Sequence, residues 1–505
     1  GIIHGGVGKA SFDEAQIVEK QANFPAPHRK VLYKALEEQY QDLDASKKTK
    51  EHIRQLQEAN SFTVVTGHQL NLFTGPLYFL YKIISAINLT SELKKAYPDF
   101  NFVPVYWMAT EDHDFDEINY FNFKGKKFQW NIEAAGAVGR LSTEGLDAVL
   151  ERLSIELGKS KNAQYLLDLF RRSYLANDNL SAATRYLANE LFGEYGLVII
   201  DGDHKTLKGL LVPYAKQDIF ENSAAIQVEQ SIDKLQELPA NYGIQVNPRE
   251  INYFYLRDGI RERIVKEDER YYAVNTDFSF TRSELQSELE EYPERFSPNV
   301  VARPLYQEVI LPNLCYIGGG GELAYWLELK ASFKAMEVAF PILLLRNSAL
   351  LISRKQYEKL EKLGIKVDHL FLKQNSLINK KIREISNIDI NFSPQKKHLE
   401  QQFEALYQMA EATDKSFFGA VKAQEVKQKK GLDHLEKRLL KAQKRKLKDQ
   451  VVRMTDIQNE LFPGQSLQER HLNFSEMYLE LGENLIPQLI EALQPLQSEF
   501  FVVKY

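Results

Sequence analysis

A run of acidic residues around one histidine is the strongest local signal of chemistry in the sequence: Glu111-Asp112-His113-Asp114, followed by Asp116 and Glu117. In a solvent-poor site these carboxylates would repel one another unless they bound a cation or basic substrate, or transferred protons with the histidine. The alternative is a helix N-terminus enriched in acids. That alternative explains two carboxylates but not six polar groups. We therefore predict that Asp112, His113 and Asp114 are catalytic and that Glu111 and Asp116 bind substrate.

A second polar group follows an earlier apolar run and leads into a helical pattern. Glycine frees the backbone there, proline suits the first helical turn, and the N-terminus of the helix can bind an anion. The alternative is a plain strand–loop–helix turn with a buried histidine. The crowding of polar side chains favours an anion site, and its predicted members are His68, Gln69, Thr74, Gly75, Tyr78 and Lys82.

Four consecutive glycines, Gly318 to Gly321, also precede a helical pattern. Their backbone N–H groups can approach a phosphate or carboxylate, although a tight turn would use the same residues. Upstream, Arg303 lies four residues before Gln307, and its guanidinium suits a bidentate clamp on an anion. The predicted substrate- or nucleotide-binding residues of this region are Arg303, Gln307, Gly318, Gly319, Gly320, Glu322, Tyr325, Arg346 and Ser348.

Five short apolar runs predict the buried strands that position these groups: residues 62–66, 102–109, 196–201, 311–317 and 340–346. Helical patterns follow four of them, at residues 75–96, 206–219, 322–336 and from Ser348 onward. Alternating strands and helices predict an α/β fold with a doubly wound parallel sheet. Ligands of such sheets bind beyond the carboxyl ends of the strands, where the polar groups lie.

The long gaps between strands predict two insertions, and the second contains a β-hairpin around Asp258-Gly259. Residues 395–462 predict a coiled-coil hairpin whose two helices meet near Lys430-Gly431. Leu440, Leu447, Met454 and Leu461 recur there every seven residues, and this leucine face predicts a homodimer. The basic stretch from Lys437 to Arg453 is typical of a solvated helix face, with a nucleic-acid arm as the alternative.

Composition excludes several classes of protein. Apolar residues make up 44% and charged residues 26% of the chain, as in ordinary globular proteins. The formal net charge of −5 gives no support for nucleic-acid binding. No apolar run is long enough for a membrane span, and Gly1 to His4 resemble no secretory signal. The single cysteine, Cys315, favours a structural thiol and a reducing cytoplasm.

The order and spacing of three motifs closely resemble the bacillithiol-biosynthesis cysteine ligase family, BshC. The motifs are Thr66-Gly67-His68-Gln69 with Thr74–Tyr78 and Lys82, then Glu111–Asn119, then Phe296-Ser297 with Arg303–Leu305, Gln307-Glu308, Gly318–Glu322 and Tyr325-Trp326. The similarity extends to Phe501–Lys504. One departure is His68, where the family is expected to have glutamine.

The resemblance implies that the carboxyl group of cysteine is joined to the amine of glucosaminyl malate, the last step of bacillithiol assembly. It also implies a Rossmann-like core akin to class I nucleotidyltransferases, two connecting-peptide insertions and a coiled-coil dimerisation domain. The expected boundaries are core at 1–125, 191–225 and 296–355, insertions at 126–190 and 226–295, coiled coil at 356–470, and a return to the core at 471–505.

Amide formation from a free carboxylate is uphill, so we expect activation by ATP, with Mg²⁺ near Glu111 or Asp112. Two other functions remain open at this point. The chain could be a nucleotidyltransferase that activates another small molecule, or a non-catalytic coiled-coil interaction protein. Polar groups at every strand end argue against the non-catalytic alternative.

Overall fold

The structure is a computed structural model that describes the backbone of residues 3–4 and all of residues 12–239 and 242–505. The prediction about a secretory signal therefore falls largely outside the described residues. The chain divides into two compact units. The first contains residues 1–349 and 469–503, and the second contains residues 350–468 and 504–505.

A six-stranded parallel sheet forms the centre of the first unit. Its strands, in spatial order, are Ile3–His4, Ile342–Leu345, Asn313–Gly318, Ser61–His68, Asn101–Met108 and Val198–Asp201. Five of them lie on the predicted apolar runs. Their side chains are almost all buried because helices cover both faces of the sheet.

Helices connect these strands and complete the first unit. They span Glu14–Asn23, Ala26–Tyr40, Lys47–Gln55, Tyr78–Ala96, Phe115–Ile118, Leu146–Leu157, Lys161–Phe170, Leu180–Phe192, Lys205–Glu221, Ser223–Gln236, Arg282–Glu291, Arg303–Ile310, Gly320–Glu328, Lys330–Ala335, Phe474–Leu481 and Leu485–Ala492. The predicted helix at 322–336 is thus two helices, since the chain turns at Leu329.

The order of the strands reverses between Ser61–His68 and Asn313–Gly318. The chain first adds strands on one side of Ser61–His68 and later returns to its other side. Such a topological switch point leaves a crevice at the carboxyl ends of the strands, where helices diverge to opposite faces. The fold therefore places Gly67-His68 beside Tyr316–Gly318 at the mouth of this crevice.

The second insertion forms a five-stranded antiparallel sheet rather than a single hairpin. Its spatial order is Ser279–Thr281, Arg270–Ala273, Ile260–Glu267, Tyr253–Arg257 and Phe296–Pro298. The predicted turn at Asp258-Gly259 is present, and Asp268, with a φ of 52°, lies in a second turn between the strands Ile260–Glu267 and Arg270–Ala273. Strand pairs also form between Tyr120–Phe123 and Lys126–Gln129 and between Ser348–Ile352 and Phe500–Lys504.

The prediction of a helix from Ser348 onward is wrong. Ser348–Ile352 is a strand, and the next helix, Arg354–Lys362, begins only after Ser353. The Ser353 hydroxyl accepts a hydrogen bond from the Gln356 N–H, which makes Ser353 the N-cap. The apolar run after Ser348 therefore belongs to a sheet edge and not to the helix face.

The second unit is helical, and its helices span Arg354–Lys362, Gln374–Ile385, Ser393–Glu411, Lys415–Lys446 and Lys448–Leu461. The predicted hairpin exists, but the prediction that its turn lies at Lys430-Gly431 is wrong. The chain reverses at 412–414, where the Asp414 side chain caps the helix Lys415–Lys446. Gly431 lies inside the helix Lys415–Lys446, because a long helix tolerates one glycine at a modest cost in stability.

The heptad residues do not form one exposed seam. Leu440, Met454 and Leu461 are 8%, 1% and 0% exposed within this chain, and the helix breaks at Leu447. Phe403, Ala410 and Val421 form a separate core between the two helices of the hairpin. The premise that the leucine face needs a partner chain is therefore wrong, because neighbouring helices of the same unit already cover it.

Candidate active site

A cavity of about 750 Å³ lies at the carboxyl edge of the parallel sheet. The strand ends line one side of it, and the antiparallel sheet lines the other through Phe254, Arg261 and Pro298. Residues 245–249 form a further part of its wall. Eight predicted site residues line the cavity: His68, Gln69, Glu111, Asp112, His113, Arg303, Glu322 and Tyr325.

The acidic run forms a tight turn held by Asp112. Asp112 Oδ1 accepts the backbone N–H groups of His113 and Asp114 at 2.7 and 3.4 Å. Gln69 Nε2 donates to Asp112 Oδ2 at 2.9 Å and to Glu117 Oε2 at 2.8 Å. One amide thus bridges two carboxylates and reduces their mutual repulsion. Asp112 makes no ion pair with a described lysine or arginine, so its carboxylate can hold a cationic group.

Glu111 belongs to a chain of alternating charges that runs from the cavity through the buried Lys208 to the exposed Arg140. Its Oε1 pairs with Lys208, whose Nζ lies 3.6 Å from Asp203 Oδ1. Asp203 in turn receives two hydrogen bonds from Arg140, at 2.7 and 2.9 Å. Burial raises the pKa of Glu111, against the opposing effect of Lys208. Burial would also raise the pKa of Asp203, but Lys208 and Arg140 hold it below its usual value. Glu111 is therefore already neutralised by the protein.

His113 contacts an arginine rather than an orienting carboxylate. Arg261 Nη1 lies 2.5 Å from His113 Nδ1, whereas Asp112 Oδ1 lies 4.0 Å away. A guanidinium can only donate, so Nδ1 accepts and the proton of the neutral ring is on Nε2. The Arg261 guanidinium lies 4.0 Å from the Phe254 ring centroid and donates to Ser297 Oγ at 3.1 Å. Phe254 and Ser297 therefore fix its orientation.

Arg303 lies at the topological switch point inside an aromatic enclosure. Its guanidinium is 5.6 Å from the Trp107 ring and 5.9 Å from the rings of both Tyr316 and Trp326. Nη1 donates to Gln307 Oε1 at 3.1 Å, but Nη2 is buried without a hydrogen-bond partner in the described structure. A buried N–H without a partner is costly, so this geometry suits a ligand anion.

Gly67 is required where the strand Ser61–His68 passes this enclosure. A Cβ atom at this position would lie 3.0 Å from the Tyr316 hydroxyl and 3.9 Å from Arg303 Nη1. A side chain at this position would therefore press on the Tyr316 hydroxyl, which lies beside the Arg303 guanidinium.

Lys82 and the glycine loop are engaged by the same carboxylate. Lys82 Nζ lies 2.8 and 2.9 Å from the two oxygens of Glu322, and the Gly319 N–H donates to Glu322 Oε2 at 2.7 Å. Burial lowers the pKa of Lys82, and Glu322 partly offsets this. An anion at the predicted loop site would have to displace Glu322. The structure thus brings Lys82 and Gly319 together but gives them an internal partner.

The loop before the helix Tyr78–Ala96 holds three consecutive residues with positive φ: Phe73, Thr74 and Gly75. Asn473, which is fully buried, donates 2.7 Å hydrogen bonds to the carbonyl groups of Phe73 and Gly75. These bonds stabilise a strained conformation that only Gly75 adopts freely. The predicted Thr74, Gly75 and Tyr78 therefore shape the crevice floor and do not line the cavity.

Arg346 and Ser348 serve a buried ion pair. Arg346 Nη2 lies 2.8 Å from Glu469 Oε1, and Ser348 Oγ donates to the same oxygen at 3.1 Å. Glu469 is fully buried. Burial, aided by the positive charges of Lys82 and Arg346, holds the pKa of His68 well below its ordinary value, so His68 is neutral. Nine further predicted site residues do not line the cavity: Lys82, Asp114, Asp116, Gln307, Gly318, Gly319, Gly320, Arg346 and Ser348.

A buried carboxylate fixes the cavity wall at 245–249. Glu328 Oε1 accepts the Tyr242 hydroxyl at 2.6 Å and the Gln245 N–H at 2.7 Å, and Oε2 accepts the Val246 N–H at 3.2 Å. Glu328 lies on the helix Gly320–Glu328, which also carries Glu322 and Tyr325. One helix therefore contributes two lining residues and anchors a third part of the wall.

Comparisons with known proteins identify the family. Residues 8–347 match the N-terminal Rossmann-like domain of bacillithiol biosynthesis BshC, and residues 349–505 match the C-terminal coiled-coil domain of BshC. The chain belongs to the BshC family. The predicted family, and the predicted fold of a Rossmann-like core with a coiled-coil domain, are confirmed.

Relatives in this family carry the name "Putative cysteine ligase BshC". The protein of Christiangramia forsetii is 59% identical over 97% of this chain and 92% of its own length. The protein of Flavobacterium johnsoniae is 58% identical with the same coverage, and that of Bacillus cereus is 29% identical over 92% of this chain and 88% of its own.

In this BshC family member, the sequence did not indicate four residues that shape the site: Arg261, Lys208, Asp203 and Glu328. Arg261 lies on a strand whose alternating polarity reads as an ordinary exposed face. Lys208 and Asp203 follow the third strand, so the rule that ligands bind at strand ends could have found them. Glu328 gives no local signal, because its three donors are more than eighty residues away in sequence.

The charges of the cavity favour a ligand that carries both anionic and cationic groups. Glu111 and Glu322 are neutralised by lysines, whereas Arg303 and Arg261 make no direct ion pair with a described carboxylate. Asp112 is the acidic counterpart. Among the described residues, no group of three His, Cys, Asp or Glu side chains converges to hold a metal ion. No helix in the described chain is long and apolar enough to cross a membrane.

Proposed function

We propose that this chain is a cysteine ligase that joins the cysteine carboxyl group to the amine of glucosaminyl malate, as the final assembly step of bacillithiol. Membership of the BshC family and the name carried by its relatives support this assignment. We place the reaction in the cytoplasm, where the free, buried thiol of Cys315 stays reduced.

The observation that carries the proposal is the guanidinium of Arg303, whose buried Nη2 is unpaired, at the switch point of a Rossmann-like sheet. Both substrates carry carboxylates, and glucosaminyl malate carries two in its malate part. A planar guanidinium binds a carboxylate through two parallel hydrogen bonds. Arg261 offers a second such group across the same cavity.

Asp112 is our candidate for holding the substrate amine. The attacking amine must be neutral, so its proton must pass to a base. His113 Nδ1 cannot serve while it accepts from Arg261. A substrate carboxylate that binds Arg261 would compete for the guanidinium and free His113 Nδ1 to accept that proton. The role of His113 as base is thus coupled to occupancy of Arg261.

ATP would supply the activation that turns the cysteine carboxylate into a substrate with a good leaving group. Arg303 and Arg261 are oriented in advance by aromatic rings, so either of them could bind a phosphate group of ATP in place of a substrate carboxylate. Magnesium prefers carboxylate and phosphate oxygens, and Asp112 would be its protein ligand in place of the amine, since Glu111 is paired with Lys208. We derive no step through the metal.

Incubation of the purified chain with cysteine, glucosaminyl malate and ATP should yield an amide adduct by mass spectrometry, together with cysteine-dependent release of AMP or ADP. An adduct formed at full rate without nucleotide consumption would contradict ATP dependence. Nucleotide turnover without an adduct would favour a nucleotidyltransferase that acts on another acceptor. If neither an adduct nor nucleotide turnover is detected, the result would favour a non-catalytic protein.

We also propose a homodimer assembled through the helical unit. The exposed apolar side chains near the hairpin turn support this proposal, whereas the leucine face does not, because it is covered within the chain. Met409, Phe417 and Val426 are 62%, 44% and 45% exposed. Light scattering of the intact protein should give the mass of a dimer, and Phe417→Asp with Met409→Asp should shift it towards a monomer. A monomeric mass for the wild type would contradict the proposal.

A further inference from the structure

The side chain of Gln307 lies between the Arg303 guanidinium and the carboxylate of Glu308, which belongs to a buried ion pair. Its Oε1 accepts from Arg303 Nη1 at 3.1 Å, and its Nε2 donates to Glu308 Oε1 at 3.0 Å. Gln307 is 0% exposed, so water cannot replace either contact. Because a guanidinium only donates and a carboxylate only accepts, each neighbour specifies a different end of the same amide.

Glu308 is itself fixed by a cation from another helix. Its Oε2 lies 2.9 Å from Lys20 Nζ, and its Oε1 accepts from Asn313 Nδ2 at 2.6 Å. Lys20 and Glu308 are 5% and 1% exposed. The side chains therefore form one continuous chain of contacts, Lys20–Glu308–Gln307–Arg303, from the helix Glu14–Asn23 to the cavity.

We propose that Lys20 and Glu308 are positioning residues that act through the Gln307 amide to aim Arg303 at the anionic group of the substrate. Neither residue lines the cavity, so neither touches the ligand. The negative charge of Glu308 keeps the amide nitrogen of Gln307 turned towards itself and the amide oxygen towards Arg303. This inference rests on the proposed function only in taking the Arg303 ligand to be a substrate anion.

A merely structural ion pair would behave differently. Its loss would lower the free energy of unfolding but would leave the orientation of a correctly folded Arg303 unchanged. The distinction depends on the amide. If Glu308 becomes methionine, the amide nitrogen of Gln307 loses the carboxylate that accepts from it, and nothing holds the amide in its present position. Arg303 Nη1 would then lose a fixed acceptor, and Arg303 would move away from its present position.

The test uses Lys20→Met with Glu308→Met, which removes both charges, leaves no buried ion unpaired and also removes the acceptor of the Gln307 amide. We expect the affinity for glucosaminyl malate, measured by titration calorimetry, to fall about fivefold to tenfold, the effect of one oriented hydrogen bond. KM for glucosaminyl malate should rise by a similar factor, while kcat changes less than threefold. Lys20→Arg, which keeps the cation, should retain near wild-type affinity. Lys381→Met with Glu384→Gln, a pair with a buried lysine in the helical unit, is the matched control and should change neither constant.

A double-mutant comparison tests the route through the amide. Gln307→Met should weaken binding as much as the double variant does, and combining all three changes should add little more. Additive losses would overturn the inference, as would unchanged affinity in the folded double variant. If wild type fails to bind glucosaminyl malate, the proposed substrate is wrong. Inorganic pyrophosphate then serves as the anionic probe, and the double variant and Gln307→Met should weaken its binding by similar, non-additive factors. If pyrophosphate fails to bind the wild type, the inference is overturned too.

Discussion

Arg303→Met should weaken binding of the anionic substrate at least about 100-fold, because truncating one partner of a buried charge pair costs several kcal/mol. The free energy of unfolding should change much less than the binding free energy. In the unliganded protein burial disfavours the charge of this guanidinium, but the Gln307 oxygen and the surrounding tyrosines offset that effect. Loss of affinity without loss of stability is the mark of a binding residue.

Arg303→Lys provides the conservative comparison. Lysine keeps the positive charge but loses the planar fork, so binding should still fall, although less than in Arg303→Met. Arg263→Met is the matched control: Arg263 is an exposed arginine on the strand that also carries Arg261. Calorimetric titration gives the affinities and urea denaturation the stabilities. A large loss of stability with unchanged affinity in Arg303→Met would make Arg303 a structural residue.

The parallel sheet could be predicted from sequence because its strands carry continuous apolar runs. Phe62–Thr66 and Phe102–Ala109 are buried on both faces, so no polar alternation obscures them. Ser348–Ile352 shows the limit of this approach. It is just as apolar, but its neighbour in the sheet is Phe500–Lys504, about 150 residues later, and no local pattern announces that pairing.

The heptads illustrate a different limit. The seven-residue spacing of Leu440, Leu447, Met454 and Leu461 predicts that one helix face is apolar, but it does not predict which surface covers that face. In this chain the neighbouring helices of the same unit cover it. Likewise, four glycines predict a backbone able to approach an anion, but not that Glu322, three residues into the helix, supplies the anion itself.

The sequence predicted which polar residues lie at the site, but not which residues they pair with. The rule that ligands bind at strand ends led to Glu111, Asp112 and Arg303, since each follows or flanks a buried strand. Which of them is neutralised depends on long-range partners such as Lys208, 97 residues after Glu111. Arg261 comes from an inserted sheet, and only the tertiary fold brings it to His113.

Lys208→Met should produce the largest loss of stability among the site variants, about 3–5 kcal/mol at pH 8. Lys208 is 1% exposed and balances both Glu111 and Asp203. Arg140 still pairs with Asp203 after the change, but Glu111 is left as a buried carboxylate without a cation. Breaking a buried pair from one side is costly for this reason, whereas removing both partners is much cheaper.

The loss should depend on pH in a defined direction. Burial already raises the pKa of Glu111 in the wild type, and without Lys208 it rises further above its unfolded value. A carboxyl group with a raised folded pKa adds stability that is fully present below the unfolded pKa and is lost as the pH rises through the folded pKa. The deficit of Lys208→Met relative to wild type should therefore be small near pH 5 and grow towards pH 8. Urea denaturation at both pH values measures this deficit.

Lys208→Met with Glu111→Gln should recover most of the stability and remove the added pH dependence, since the neutral amide needs no cation. An equal deficit at both pH values would instead mean that Glu111 stays ionised and hydrated from the cavity it lines, and that Lys208 stabilises the fold by packing alone.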